Sequence, residues 1–178
     1  MKKIIAFAGS NSSTSINHAL VSYLASTIQK CDVSVLKLTD FNLPMYSEDI
    51  EKKEGFPDAL KTLVLEIKSA DGVIISINEH NGTVSAFFKN VLDWLSRIDG
   101  NYLEGSKVLL LSTSPGGRGG KTALQYLTDF YARKEITIVD SISFPSFYEN
   151  FSLDENRIST QEQAAVLHDA VSKLVATL

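Results

Sequence analysis

The chain has one cysteine and no surplus of positive charge among its 178 residues, and each shortage removes a class of protein. A lone Cys31 forms neither an internal disulfide nor a cysteine-rich metal site, so the expected compartment is a reducing cytoplasm. A net charge of −4 gives no basic footprint for nucleic acid. No run approaches the ~20 apolar residues of a membrane span. Met1-Lys2-Lys3 and the five apolar residues after them are too short for a secretory leader and read as a first strand. His18, His80 and His168 show no ligand spacing, so no metal site is expected. No linker, repeat or low-complexity tract divides the chain, and residues 1–178 read as a single domain.

Two phosphate motifs are also missing. Gly9 is the only glycine after the first apolar run, where a dinucleotide turn would carry G-x-G-x-x-G. Gly120-Lys121-Thr122 matches the tail of a P-loop, but the glycine required five positions earlier is Pro115, which has no N–H to offer.

What is present is a strict alternation. Apolar strand-like runs at 3–8, 32–37, 72–77, 107–113 and 136–143 are separated by helical periodicities. Residues 16–29 carry Leu20, Val21, Leu24, Ala25 and Ile28, and similar patterns cover 57–70, 84–98, 120–134 and 160–177. Five βα units predict an α/β fold, a doubly wound five-stranded parallel sheet with helices on both faces. The flavodoxin-like order 2-1-3-4-5 fits five strands, although alternation alone does not fix it. Two longer stretches, 39–56 and 145–159, read as irregular.

The strand-to-helix junctions hold the candidate site. After the first strand comes Gly9-Ser10-Asn11-Ser12-Ser13-Thr14-Ser15-Ile16-Asn17. Hydroxyls there, with the free N–H groups of a helix N-terminus, suit a terminal phosphate, and Asn17 adds an amide. A serine-rich helix cap that binds nothing is the alternative, but one cap needs fewer hydroxyls. After the third strand, Asn78-Glu79-His80-Asn81-Gly82 offers amide, imidazole and backbone groups to a planar heterocycle; alternatively Asn81-Gly82 is simply a turn. After the fourth strand, Ser114-Pro115-Gly116-Gly117-Arg118-Gly119-Gly120 is flexible enough to pass under a flat ligand, with Arg118 reaching outward toward a second, anionic ligand; alternatively it is a flexible connection that touches nothing.

Taken together, these loops resemble the NADPH-dependent FMN reductase family, the flavodoxin-like quinone, azo-dye and chromate reductases. The most specific segment runs from Asn81 to Arg97. There Lys89, Asn90, Asp93, Trp94, Ser96 and Arg97 match the family block N-G-S-x-P-G-x-L-K-N-x-x-D-W-x-S-R. Gly9-Ser10, Ser15 and Asn17 match its phosphate loop, Ser114-Pro115-Gly116 with Gly119-Gly120 its third loop, and Pro44-Met45-Tyr46 its P-x-Y segment. The chain departs from the pattern at Ser12, where the family usually has arginine, and at Asn78, His80, Ser85 and Ala86.

The resemblance implies an NAD(P)H-dependent FMN oxidoreductase that passes hydride from NADPH or NADH to FMN and on to a quinone, azo or other small acceptor. It also implies a homodimer or homotetramer, and the composition adds that this assembly would be cytoplasmic and engage neither nucleic acid nor membrane. Ser10, Ser12, Ser15, Ile16 and Asn17 would hold the phosphate. Asn78, Glu79, His80, Asn81 and Gly82 would hold the polar edge of the ring, and Ser114, Gly116 and Gly117 would line its other side. No side chain is needed as nucleophile or base. The departures leave two other readings open: a flavin-binding electron carrier or sensor, and a degenerate scaffold without flavin.

Overall fold

The computed structural model describes all 178 residues. Nine strands and seven α-helices follow in the order β1 (Lys3–Ala8), α1 (Ile16–Ser26), β2 (Asp32–Leu36), α2 (Glu48–Glu54), α3 (Asp58–Lys68), β3 (Gly72–Ile77), β4 (Glu79–His80), β5 (Thr83–Val84), α4 (Ala86–Ile98), β6 (Lys107–Thr113), α5 (Lys121–Ala132), β7 (Thr137–Phe144), α6 (Phe147–Asn150), β8 (Phe151–Ser152), β9 (Arg157–Ile158) and α7 (Gln161–Thr177). The five long strands form one parallel sheet in the order β2-β1-β3-β6-β7. Counting only those strands, this is the expected 2-1-3-4-5. No helix is long and apolar enough to cross a membrane.

The three central strands β1, β3 and β6 are largely apolar on both faces because both faces are covered, whereas the edge strands β2 and β7 carry polar residues and are only half-buried. Ile5, Phe7, Val73, Ile75, Val108 and Leu110 point toward α3, α4 and α5 in one core. Ile4, Ala6, Ala8, Ile74, Leu109 and Leu111 alternate with them and face α1 and α7 in the other. With helices closing both faces, the open end available to a ligand is the carboxyl edge of the strands.

The structure corrects the sequence reading at its boundaries and in two loops. The first helix stops at Ser26 rather than residue 29, because the Thr27 hydroxyl turns back to the Leu24 carbonyl (2.7 Å). The fourth begins at Ala86 rather than 84, because Val84 is paired with Glu79 in a hairpin and Ser85 caps the helix. The stretch 39–56 is not irregular throughout. Ser47 caps α2, whose first turn holds Glu48, Asp49 and Glu51 and whose last holds Lys52 and Lys53, the charge order the helix dipole favours. Likewise 145–159 contains α6 and the hairpin β8–β9.

One buried polar pair has a pH consequence. Tyr102 and Tyr131, both almost fully buried, share a hydrogen bond from the Tyr102 hydroxyl to that of Tyr131 (3.2 Å). Burial pushes the Tyr102 phenol up to about 12, against the opposing effect of that bond. Burial also raises Tyr131. A raised folded pKa means that the unfolded chain releases its proton first. The stabilisation is therefore complete below the ordinary tyrosine value of about 10 and is lost as pH rises from there to about 12. Tyr102 alone should cost roughly 3 kcal/mol across that window. Urea midpoints measured at intervals above pH 9 should fall, and fall less in Tyr102→Phe. A midpoint that stays level up to pH 12 in the unmodified chain would contradict the assignment.

Candidate functional site

Three loops leave the carboxyl ends of β1, β3 and β6, which are neighbours in the sheet: Ala8 stands beside Ser76, and Ile77 beside Ser112. The first loop turns away at Gly9. A Cβ there would lie 2.7 Å from the Phe88 ring, so only glycine lets the chain pass this close to α4. Ser85 locks the crossing. Its hydroxyl donates to the Gly9 carbonyl (2.9 Å) and accepts the Phe88 N–H (3.2 Å) that caps α4.

Beyond Gly9 the hydroxyls hold the loop in shape. Ser10 Oγ accepts the Ser12 N–H and Ser12 Oγ accepts the Thr14 N–H, each at 3.2 Å. Ser15 Oγ caps α1 by accepting the His18 N–H (3.1 Å). The N–H groups of Ser13, Ile16 and Asn17 donate to no group of the chain. The N-terminus of α1 thus presents free donors and the positive end of its dipole. Residues 10–15 form the floor of a cleft of about 680 Å³ walled by Lys37, Thr39 and Asp40 after β2, by His18 and Ala19 of α1, and by Leu153 of the β8–β9 turn. Burial, followed by the nearby Lys37 charge, holds the His18 imidazole below its usual pKa.

Asn17 does not face this cleft as the sequence reading expected. It is buried, and its amide is already engaged: Nδ2 donates to the Thr113 carbonyl (3.1 Å), while Oδ1 accepts the Thr113 N–H (3.1 Å) and the Ser76 hydroxyl (2.8 Å). It ties α1 to the ends of β3 and β6, and only its backbone N–H remains for a ligand.

The second loop is a hairpin, β4–β5, closed by Asn81 (φ 52°) and Gly82 (φ 76°). Two consecutive positive φ values mark a tight two-residue turn, so the turn reading of Asn-Gly describes the backbone. The hairpin aims Glu79 at the third loop. Its carboxylate accepts the Thr122 (2.9 Å) and Ala123 (3.1 Å) N–H groups and caps α5, whose own cap residue is Gly120. His80 is exposed, with Nε2 3.3 Å from Asn78 Nδ2. Asn78 Oδ1 is buried with no donor in the protein.

In the third loop the glycines divide into two pairs. Gly119 and Gly120, both at positive φ, pack inward; a Cβ on Gly119 would lie 2.3 Å from Ser143 Oγ and 2.9 Å from the Phe144 backbone. Gly116 and Gly117 have open space around them. Ser114 Oγ bonds the Gly116 carbonyl (3.2 Å), and Arg118 bonds the Thr122 hydroxyl (3.0 Å).

The residues of α4 that match the family block hold a fourth segment. Asn90 Nδ2 (3.0 Å) and Trp94 Nε1 (2.8 Å) both donate to the Pro44 carbonyl, and Asn90 Oδ1 accepts the Tyr46 N–H (2.7 Å). Arg97 grips Glu51 through two nitrogens, and Tyr46 donates to the same carboxylate (2.9 Å). Lys89 pairs with Asp93 on the exposed side of the helix.

Of the expected site residues, Ser10, Ser12 and Ser15 line one cleft. Ile16 stands at the helix start beside it, and Asn17 lies beneath. Asn78, Glu79, His80, Asn81, Gly82, Ser114, Gly116 and Gly117 sit on the neighbouring strand ends, outside the lining of that cleft. Sequence reasoning passed over Lys37 and Asp40. Strand order carried the signal, since placing β2 beside β1 brings residues 37–40 against the first loop.

Comparison with known proteins adds to this geometry. The family model described as NADPH-dependent FMN reductase matches residues 2–149. A 2-hydroxy-1,4-benzoquinone reductase of a Burkholderia species is 32% identical over 157 residues, 88% of this chain and 81% of that protein. The quinone reductase of Escherichia coli K12 is 33% identical over 103 residues, 58% of this chain and about half (55%) of that protein. Among solved structures, the flavoenzyme NAD(P)H:(acceptor) oxidoreductase FerB of Paracoccus denitrificans superposes with a TM-score of 0.78 at 23% identity, covering 99% of this chain and 96% of its own.

Proposed function

Since the chain belongs to the NADPH-dependent FMN reductase family, an oxidoreductase family, we propose that it oxidises NAD(P)H through bound FMN and reduces a small acceptor such as a quinone or an azo compound. The observation that carries this reading is the joint presence of the family match and a hydroxyl-floored cleft at the positive end of α1.

The donor set fits FMN. A phosphate monoester presents oxygens that need several donors, and the cleft offers serine hydroxyls together with the unpartnered N–H groups of Ser13, Ile16 and Asn17. Asn78 Oδ1 is a buried acceptor that still lacks a donor, matching a heterocycle with ring N–H groups. When bound, FMN supplies the redox chemistry, accepting hydride from the nicotinamide and delivering electrons to the acceptor.

The protein's part is to bind and orient. Ser10, Ser12, Ser15, Ile16 and Asn17 hold the phosphate, Asn17 through its backbone N–H. Asn78, Glu79, His80, Asn81 and Gly82 hold the polar edge of the ring, largely by backbone groups, because the Glu79 carboxylate is committed to α5. Ser114, Gly116 and Gly117 line the opposite side, where the open space at both glycines lets a flat ligand approach the backbone. No side chain is assigned as acid, base or nucleophile. The protein is further proposed to work in the cytoplasm as a homodimer or homotetramer, with the Pro44–Tyr46 segment on α4 as part of the contact.

Steady-state NADPH and NADH oxidation with benzoquinone or an azo dye tests the proposal. Parallel double-reciprocal plots, the sign of two substrates using one site in turn, are the expected result. Stoichiometric flavin binding with no turnover on any acceptor would replace the reductase reading with an electron carrier.

A further inference from the structure

We propose that Lys37 is the cation that balances the phosphate charge in this chain, delivered from the strand beside the phosphate loop rather than from the loop itself. The inference rests on the reading of the cleft as the FMN site. A phosphate monoester carries about −1.5 to −2 charges near neutral pH. Hydroxyls and backbone N–H groups supply dipoles and no full charge. The loop of residues 9–17 contains no lysine or arginine.

The titratable groups of the cleft are His18, Lys37 and Asp40. Asp40 has the wrong sign. His18 is held toward its neutral form by burial and by Lys37 itself. Lys37 forms no ion pair, so Asp40 does not consume its charge despite sharing the wall. The sheet register places it. Leu36 pairs with Phe7, so Lys37 follows level with Ala8, immediately before the chain turns at Gly9. A long flexible lysine stem from that position lies along the wall of the cleft whose floor is the hydroxyl loop.

The test compares FMN with riboflavin, which lacks the phosphate, by fluorescence titration of the full-length chain at low and high salt. Lys37 is exposed and unpaired, so Lys37→Met should leave folding intact. The variant is expected to bind FMN about ten- to hundredfold more weakly, the usual worth of a charge-assisted contact. Its riboflavin affinity should be unchanged and its FMN affinity less sensitive to salt. Adding Ser12→Arg to Lys37→Met should restore the preference for FMN. Unchanged FMN affinity and salt dependence in Lys37→Met, with tight FMN binding by the unmodified chain, would overturn the role of Lys37 alone. Equal losses for both flavins would also overturn it, since they would indicate a distorted cleft. Failure of the unmodified chain to bind FMN would remove the proposed function, and this inference with it.

Discussion

Asn17→Ala is expected to destabilise the protein by about 3–5 kcal/mol and to weaken FMN binding along with it. The Asn17 amide is spent on three partners at the ends of two strands: the Thr113 N–H, the Thr113 carbonyl and the Ser76 hydroxyl. All three groups are buried, so truncation strands them away from water. Each lost bond costs about 1 kcal/mol, and each stranded group adds about 1–3 kcal/mol before relaxation or a trapped water recovers part of the sum. The binding loss follows from position. Asn17 is the second residue of α1, and its amide fixes the helix start that is proposed to present the phosphate donors. Urea denaturation measures the first effect and flavin titration the second. Ser76→Ala, which removes one partner and leaves Asn17 bound to Thr113, should cost a fraction of either. A loss below about 1 kcal/mol for Asn17→Ala would mean that the amide is not the tie between α1 and the sheet.

Trp94→Ala should cost about 3–5 kcal/mol, the usual range for deleting a buried aromatic side chain. Trp94 is fully buried in α4, and the ring of Tyr46 meets it edge-on at 5.1 Å. Its indole N–H also donates to the Pro44 carbonyl, a bond shared with Asn90. Packing and polar contributions separate cleanly by substitution. Trp94→Phe keeps most of the ring and leaves Asn90 to satisfy Pro44, so it should cost well under half as much. Limited proteolysis supplies an independent readout, with Trp94→Ala cut within residues 39–56 at concentrations where the unmodified chain resists. Equal stability of the alanine and unmodified chains would place the anchor of that segment elsewhere, in the grip of Arg97 on Glu51.

The parallel sheet and its covering helices could be read from periodicity, because five apolar strands alternating with amphipathic helices admit few right-handed arrangements, whereas the strand order needed the flavodoxin-like pattern as well. The hydroxyl loop was equally legible, since serine at a helix N-terminus acts locally. What could not be read depends on contacts between distant residues. Asn17 looked like a phosphate donor because nothing local reveals that Thr113 and Ser76 use its amide. Nothing near Glu79 in the sequence shows where its carboxylate goes: α5, starting at a glycine with no side chain to cap it, draws that carboxylate across from another loop. The four glycines of the third loop looked alike; only the structure separates Gly119 and Gly120, pressed against Ser143 and Ser112, from Gly116 and Gly117 in open space. Stretch 39–56 looked irregular because its order comes from α4, more than thirty residues further along, and from one short capped helix of about two turns.

The cleft at the start of α1 is proposed to hold one FMN per chain by its phosphate. Quenching of FMN fluorescence by the flavin-free chain tests it most directly. Saturable quenching at one FMN per chain, with clearly weaker binding of riboflavin, is expected. Equal affinity for FMN and riboflavin, or no quenching by a folded chain, would contradict it.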